Sequence, residues 1–310
     1  MWDFFCTFVS DLTKALPRSM KKIRYIAIIL LLAVAEVLCV AAKTAHREPP
    51  RQLKVLCIGN SFSIDAVEQN LVQLADERGI DLVAGNLYIG GCSLEQHATN
   101  IRKDSAAYSY RHMCKNASGE FERTVTEGVS ILQALLSDDW DVVTMQQASH
   151  YSGQWSTYEP YLSELLDSVR LHILPKTKIY WYMTWAYQQD AKHPAFIPNY
   201  NGDQAYMYDE ICGCNRQVLR SHRFDGFIPG GILLQQGRRT KLGDTFCRDG
   251  YHLSYTYGRY MMACLWLETL TGVSAKGCEY MPEGMTADQR RIVQKVAHRT
   301  ARRGIKGLDD

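Results

Sequence analysis

The sequence lacks an excess of charge of either sign. Residues 43–310 contain 30 lysines and arginines against 30 aspartates and glutamates, and no basic stripe stands out along the chain. Binding to nucleic acid requires a concentrated positive surface that can displace counterions from phosphates. The composition therefore argues against a nucleic-acid partner and favours a neutral substrate.

The spacings typical of metal sites are also missing. The ten cysteines include Cys212 and Cys214 in a CxC arrangement, but no paired CxxC of the kind that structural zinc sites use. Four histidines, His97, His112, His150 and His193, show no HExxH spacing. We expect neither a metal nor another cofactor. The pairing of the cysteines cannot be deduced from their positions.

The apolar run near the N-terminus is too short for a membrane span. It covers residues 25–35 and is interrupted by Glu36, whereas a span needs about 20 apolar residues. Three basic residues precede it and three small residues follow it: Lys21, Lys22, Arg24 and Val40, Ala41, Ala42. This predicts a signal peptide over residues 1–42, with Met20 as a candidate start, and export to the periplasm or beyond. The alternatives are an uncleaved membrane anchor and a lipoprotein attached through Cys39.

The rest of the chain alternates short apolar runs with helical patterns, which is typical of a parallel sheet covered by helices. We predict a linker over residues 43–52, one α/β domain over 53–275 and a C-terminal helical extension over 276–310. No repeat or second zone of composition argues for more domains. The predicted strands are Leu53–Ile58, Leu82–Ile89, Asp141–Met145, Ile179–Met183 and Phe227–Ile228.

A β-hairpin is predicted between the second and third of these strands. Residues 108–115 and 120–126 have strand character and flank the turn sequence Asn116-Ala-Ser-Gly119. The hairpin would be an insertion into the α/β frame.

The first candidate site residue is Ser61, in Gly59-Asn60-Ser61-Phe62-Ser63, where the first strand ends and a helix begins. In open α/β sheets, ligands bind beyond the carboxyl ends of the strands. A serine at this place is therefore presented to a crevice, and the free N–H groups of the helix start suit a developing oxyanion. Ser61 alone could equally be an ordinary helix cap.

The second candidate site is Asp249-Gly-Tyr-His252, which precedes the last helix of the predicted domain. A serine nucleophile needs a base, and that base needs a partner that sets its tautomer. Asp249 and His252, three residues apart, could supply both groups from one loop. A plain Asp-Gly turn beside a surface histidine is the alternative.

These segments together resemble the conserved blocks of SGNH (GDSL-like) hydrolases. Ile58–Ser63 looks like the first block, Tyr88–Leu94 like the second and Asp249–His252 like the closing one. The resemblance implies a three-layer α/β/α sandwich with a central parallel sheet, the flavodoxin-like SGNH hydrolase fold. It also implies a metal-free serine hydrolase in which Ser61, Asp249 and His252 are catalytic.

The oxyanion hole implied by the resemblance contains the N–H groups of Ser61 and Gly91, with Gly90 as a shifted alternative. The third block departs from the usual asparagine, because Gln146 and Gln147 stand in its place. This is similar to an uncharacterised exported branch of the superfamily with glutamine there. A glutamine amide can donate the same hydrogen bond, so the role falls to Gln146, with Gln147 close behind.

The expected activity is ester hydrolysis by acyl transfer, with O-deacylation of a carbohydrate, such as O-deacetylation, as the substrate hypothesis. Five aromatic residues fall in connections near the expected cleft, where they could carry sugar rings or pack the loops: Trp155, Tyr158, Trp185, Tyr187 and Tyr200. We predict substrate contacts for Gln147, Trp185 and Tyr187. A lipase, a thioesterase, or a non-catalytic glycan-binding or envelope module on the same fold are the alternatives. The sequence does not indicate an oligomeric state.

Overall fold

The computed structural model describes residues 52–309. The predicted signal peptide, its candidate start at Met20 and nearly all of the predicted linker lie outside these residues. Within residues 52–309, no helix combines the length and the apolar character needed to cross a membrane.

The core of the molecule is a seven-stranded sheet in the order β4-β3-β2-β1-β5-β6-β7. The strands β1, β2, β5, β6 and β7 are mutually parallel. Each predicted strand is present, and the predicted α/β sandwich with a central parallel sheet is confirmed. The strands are β1 Gln52–Gly59, β2 Asp81–Tyr88, β3 Tyr108–Lys115, β4 Phe121–Val129, β5 Val142–Met145, β6 Lys178–Tyr182 and β7 Gly226–Ile228.

The predicted hairpin extends this sheet at one edge. β3 pairs antiparallel with β2, and β4 pairs antiparallel with β3, so the sheet is mixed. Ion pairs also hold the hairpin against the end of the first helix. Arg111 and Arg123 both contact the buried carboxylate of Glu68, which directly follows that helix.

Helices cover the sheet in two groups. They are α1 Ser61–Val67, α2 Leu71–Glu77, α3 Leu94–Arg102, α4 Ile131–Leu136, α5 Tyr161–His172, α6 Phe196–Tyr200, α7 Gln204–Ser221, α8 Gly230–Arg238, α9 Tyr257–Thr271 and α10 Ala287–Arg303. The helices α3, α4 and α5 contact one another, while α9 contacts α1, α2, α8 and α10. Residues 258–268 of α9 are all buried, as expected for a helix with apolar residues on every side, and its two charged residues in this range, Arg259 and Glu268, have ion-pair partners.

The C-terminal segment packs directly on this buried helix. Gln294 of α10 donates hydrogen bonds to the Tyr260 hydroxyl and to the Cys278 carbonyl, and His298 pairs with Glu268 of α9. The extension predicted over residues 276–310 thus contains one long helix, α10, and this helix covers α9.

The strand order places a crevice between β1 and β5. Around β1 the parallel strands run 2-1-5-6-7, which is the flavodoxin-like arrangement, and connections leave β1 and β5 on different sides. Ligand sites of such sheets lie at the carboxyl ends of the strands at this point. Ser61 follows β1 and Gln146 follows β5, so both lie at this crevice.

Candidate active site

Ser61 is the first residue of α1, in a tight turn after β1. Asn60 caps the helix, since its side-chain Oδ1 accepts a hydrogen bond of 3.0 Å from the Phe62 N–H. Gly59 leaves no room for a larger residue, because a Cβ atom there would lie 2.4 Å from Ser63 Oγ and 3.2 Å from Gln146 Oε1. The glycine and the asparagine therefore set the position of the serine.

A chain of two hydrogen bonds joins the three predicted catalytic residues. His252 Nε2 lies 2.8 Å from Ser61 Oγ, and His252 Nδ1 lies 2.7 Å from Asp249 Oδ2. A carboxylate beside Nδ1 favours the tautomer that carries its proton there, which leaves Nε2 free to accept from the serine. The geometry is the one that proton transfer from Ser61 to His252 requires.

Asp249 is kept in its charged form by its own loop. Its Oδ1 accepts from the backbone N–H groups of Tyr251 and His252, at 3.1 and 2.7 Å. Burial alone would raise the pKa of Asp249, but these bonds and the one to the His252 ring outweigh burial and hold the pKa below its usual value. The carboxylate is therefore ionised at neutral pH, as a partner of an imidazolium must be.

A buried carboxylate that the sequence patterns did not indicate connects the helix that begins at Ser61 to the loop that carries His252. Asp65 of α1 is fully buried and accepts from the Leu253 N–H at 2.6 Å. It also forms ion pairs with Arg248 and Arg259, at 3.1 and 2.6 Å. The only sequence signal for this link was the position of Asp65, which lies one helical turn after Ser61 in a helix expected to face the core.

The two backbone N–H groups that are predicted to form the oxyanion hole belong to Ser61 and Gly91. Ser61 is the first residue of a helix, where N–H groups have no intrahelical partner, and Gly91 lies exposed in the turn after β2 with a φ of +63°. That φ lies in the left-handed region that favours glycine. Among the described residues, neither N–H donates to a backbone or side-chain acceptor outside the regular elements. Gly90, the shifted alternative, lies exposed in the same turn.

Gln146 contacts Asn60, the residue before Ser61. Its buried Nε2 donates to Asn60 Oδ1 at 2.9 Å, and Asn60 Nδ2 in turn donates to the Cys92 carbonyl. One of the two amide hydrogens of Gln146 is thus used inside the protein. The link joins the ends of β1 and β5 to the turn that carries Gly91.

The three residues predicted to contact substrate lie beneath the surface. Gln147 accepts from the Leu94 and Ala148 N–H groups and donates to Thr157. Trp185 stacks on Phe62 with 3.9 Å between ring centroids and donates to the Tyr251 carbonyl.

Tyr187 shares a hydrogen bond of 2.9 Å with Ser149 Oγ, and burial raises the pKa of its hydroxyl. Gln147, Trp185 and Tyr187 are each at most 1% exposed. Their polar atoms are already paired within the protein, and the three side chains support the walls of the cleft.

The half-buried rings of His150, His193 and Tyr251 form an arc beside the triad, which we call the rim. A Cβ atom at Gly91 would lie 3.9 Å from His150 Cε1. Ring centroids are 6.1 Å apart for His150 and His193, 4.8 Å for His193 and Tyr251, and 4.3 Å for Tyr251 and His252. The rim thus runs from Gly91 to His252.

The rim histidines are neutral at neutral pH. Burial lowers the pKa of His150, and burial together with the nearby His150 and His252 lowers that of His193. The Ala195 N–H donates to His193 Nδ1, so the neutral ring carries its proton on Nε2. In the sequence, His150 and His193 were considered only as possible metal ligands. They lie in separate loops, so no local pattern indicated that they meet.

No group of three or more His, Cys, Asp or Glu side chains within residues 52–309 is arranged to hold a metal ion. The eight cysteines in the same part of the chain are free thiols.

Comparisons with known proteins place the chain in a family. Residues 54–301 match the family described as Domain of unknown function (DUF4886). The crystal structure of a DUF4886 family protein from Bacteroides uniformis is similar at 40% identity and a TM-score of 0.76, over 80% of this chain and 94% of that one. The comparison with curated proteins gives no match.

More distant structures include named esterases and lipases. A GDSL-like lipase from Bacteroides thetaiotaomicron is 10% identical with a TM-score of 0.38, over 72% of this chain and 90% of that one. A family 3 carbohydrate esterase from Clostridium thermocellum is 16% identical with a TM-score of 0.40, over 70% and 94%. The family match over residues 54–301 and the 40% identical structure together show that the chain belongs to the DUF4886 family.

Proposed function

We propose that the protein is an SGNH-type serine hydrolase that cleaves carboxylic esters through an acyl-enzyme. The observation that carries the proposal is the continuous hydrogen-bonded chain from Ser61 through His252 to Asp249. Three side chains from opposite ends of the sequence meet at the crevice of the sheet with the spacing that nucleophilic catalysis needs.

In the proposed reaction, Ser61 Oγ attacks the ester carbonyl while His252 Nε2 takes the serine proton. Asp249 stabilises the imidazolium, and the N–H groups of Ser61 and Gly91 hold the oxyanion. The imidazolium then protonates the leaving alcohol. A water molecule, activated by the same histidine, attacks the acyl-enzyme and releases the acid and free Ser61.

Gln146 enters this proposal as a positioning residue. Its bond to Asn60 fixes the turn that presents Ser61, and its contact with the oxyanion, implied by the family resemblance, would need its second amide hydrogen.

The proposed substrate is an acylated carbohydrate, with O-deacetylation as the reaction. The rim supports this choice, because neutral histidine and tyrosine side chains can donate to and accept from hydroxyl groups, and aromatic faces can carry a sugar ring. The balanced charge of residues 43–310 also fits a neutral substrate.

The activity is tested with p-nitrophenyl acetate and the purified protein beside Ser61→Ala and His252→Ala. We expect each variant to lose about 10⁴-fold or more in kcat/KM. Ser118→Ala is the matched control, because Ser118 is exposed in the hairpin turn. Equal rates for the wild-type protein and the Ser61→Ala variant would refute the proposal.

The substrate class is tested with a panel of acetylated sugars and of p-nitrophenyl esters of increasing chain length. We expect His193→Ala to raise KM for an acetylated sugar about tenfold more than KM for p-nitrophenyl acetate, because a hydrogen bond to a sugar hydroxyl is lost. A preference for long acyl chains would instead support a lipase or thioesterase.

Export is a separate proposal that rests on the sequence of residues 1–42. N-terminal sequencing of the protein purified from its native cell should find a first residue close to 43. A mature protein that begins at Met1 or Met20 would contradict cleavage.

A further inference from the structure

A second cavity, of about 640 Å³, lies where the ends of α8 and α10 meet. Four arginines line it, three residues with hydroxyl or amide side chains lie among them, and Ser61 and His252 are not part of its wall. The residues that matter here are Arg239, Arg299, Arg302, Arg303, Thr300 and Gln236. We call this cavity the arginine cavity.

The segment that forms one wall of the arginine cavity has a strong local excess of positive charge. Seven lysines and arginines lie between residues 290 and 306, and no aspartate or glutamate lies between Gln289 and Leu308. The expectation that the chain has no basic stripe is therefore wrong for this segment. The balanced total charge conceals it, because acidic residues elsewhere compensate.

Three of the four cavity arginines have no ion-pair partner among the described residues. Their side chains are exposed, unlike those of Arg238 and Arg259, which are nearly buried and pair with Asp244 and Asp65. Within residues 52–309, no carboxylate lies at ion-pair distance from Arg239, Arg299 or Arg302, by contrast with those pairs. Like charges gathered without counter-charges repel one another, and an anion would relieve this repulsion.

A buried hydroxyl in the same wall also lacks a partner. Thr300 is 3% exposed, and its Oγ1 has no hydrogen-bond partner among the described residues. A buried polar group without a hydrogen bond is costly and calls for an explanation. Because Oγ1 has almost no accessible surface, an acceptor oxygen of a bound ligand would supply the missing bond only after the Thr300 side chain turns towards the cavity.

We propose that the arginine cavity binds a phosphate-type oxyanion, held by the guanidinium groups of Arg239, Arg299 and Arg302 and by the hydroxyl of Thr300. Arginine presents a planar set of N–H donors that matches phosphate oxygens in pairs. The volume suits a small phosphate ester or a headgroup. This inference does not rest on the proposed ester hydrolysis.

Calorimetric titration with inorganic pyrophosphate at low salt tests the site. The variant Arg299→Gln/Arg302→Gln should weaken binding about tenfold or more, and added salt should weaken binding by the wild-type protein. The control Lys103→Gln/Lys176→Gln removes the same charge from exposed positions elsewhere, and its affinity should stay within about twofold of wild type. Thermal unfolding checks that both variants are folded.

Thr300→Val separates a ligand contact from a general effect of charge. The change removes an unpaired hydroxyl, so the melting temperature should hold or rise while pyrophosphate binding weakens several-fold. A hydroxyl with a purely structural role would leave the affinity unchanged.

Flotation with phosphatidylcholine vesicles, with and without phosphatidylglycerol, distinguishes a lipid headgroup from a free phosphate as the source. Binding that requires the anionic lipid and is lost in the arginine variant supports the site with a headgroup as ligand. Pyrophosphate binding without vesicle binding supports it with a soluble phosphate. Absence of both, or affinity equal in the arginine and lysine variants, overturns the proposal.

Discussion

Asp249 is the residue on which the orientation of His252 depends. The carboxylate is 39% exposed, yet one of its oxygens accepts two backbone N–H bonds and the other contacts the imidazole. Such bonds fix the carboxylate without burying it. The ring of His252 is thereby held with Nε2 towards Ser61.

Replacement of Asp249 by asparagine should lower kcat far more than it changes KM. The amide is uncharged and no longer stabilises the imidazolium, so we expect a loss of roughly 10²- to 10⁴-fold in kcat. Steady-state hydrolysis of p-nitrophenyl acetate measures this. Asp139→Asn, an exposed change away from the triad, should have no effect, and an active Asp249→Asn enzyme would remove Asp249 from the mechanism.

The role of Gln146 can be separated from that of Asn60 by a double-mutant cycle. If Gln146 acts through Asn60, Gln146→Ala should lower kcat by about tenfold or more, and the double variant should be no worse than Asn60→Ala alone. Multiplicative losses would instead show a direct contact between Gln146 and the oxyanion. The kcat values of all four proteins for one ester decide between the two.

At the scale of elements, α1 and the loop before α9 act as one unit because Asp65 connects them. The helix carries the proposed nucleophile, the loop carries the proposed base, and the buried carboxylate that they share accepts from Leu253, Arg248 and Arg259. Loss of a buried carboxylate with several charged donors lowers the free energy of unfolding far more than loss of an exposed ion pair.

Asp65→Asn should therefore destabilise the fold by about 3 kcal/mol, because two arginines lose their buried partner. Urea unfolding of the variant measures the loss. The matched control is Glu164→Gln, which breaks an exposed ion pair with Arg102 and should cost less than about 1 kcal/mol. Equal effects of the two changes would contradict the structural role of Asp65.

At the scale of the whole molecule, one buried histidine links folding to pH. His97 is fully buried against Tyr108, whose hydroxyl lies 2.8 Å from His97 Nδ1, and burial lowers the pKa of this histidine to about 3. The unfolded chain, with the ordinary value of 6.5, binds a proton that the folded protein does not. Its contribution to stability is therefore present above pH 6.5 and is lost as the pH falls towards 3.

The free energy of unfolding should accordingly fall on acidification, by about 1.4 kcal/mol per pH unit from this group alone. His97→Gln removes the titration and should flatten the profile between pH 6 and pH 4. Urea titrations at several pH values measure both proteins. Parallel profiles would show that other groups cause the acid sensitivity.

The features that the sequence predicted are those with a local pattern. The continuous apolar run of β1 predicted a buried parallel strand, because both of its faces are covered. The tight turn with Ser61 and the pair of Asp249 and His252 could be recognised for the same reason, because each lies within a few consecutive residues. The resemblance of these segments to the SGNH blocks implied that they meet.

Only the tertiary structure decided which distant side chains meet around them. Gln146 bonds to Asn60 across 86 residues, Asp65 accepts from Leu253 across 188, and the rim joins loops that follow different strands. Trp185 and Tyr187 carry no pattern that tells a buried wall from a binding surface. Contacts of this kind depend on how the strands are ordered in the sheet, and strand order is a property of the folded chain that no short motif encodes.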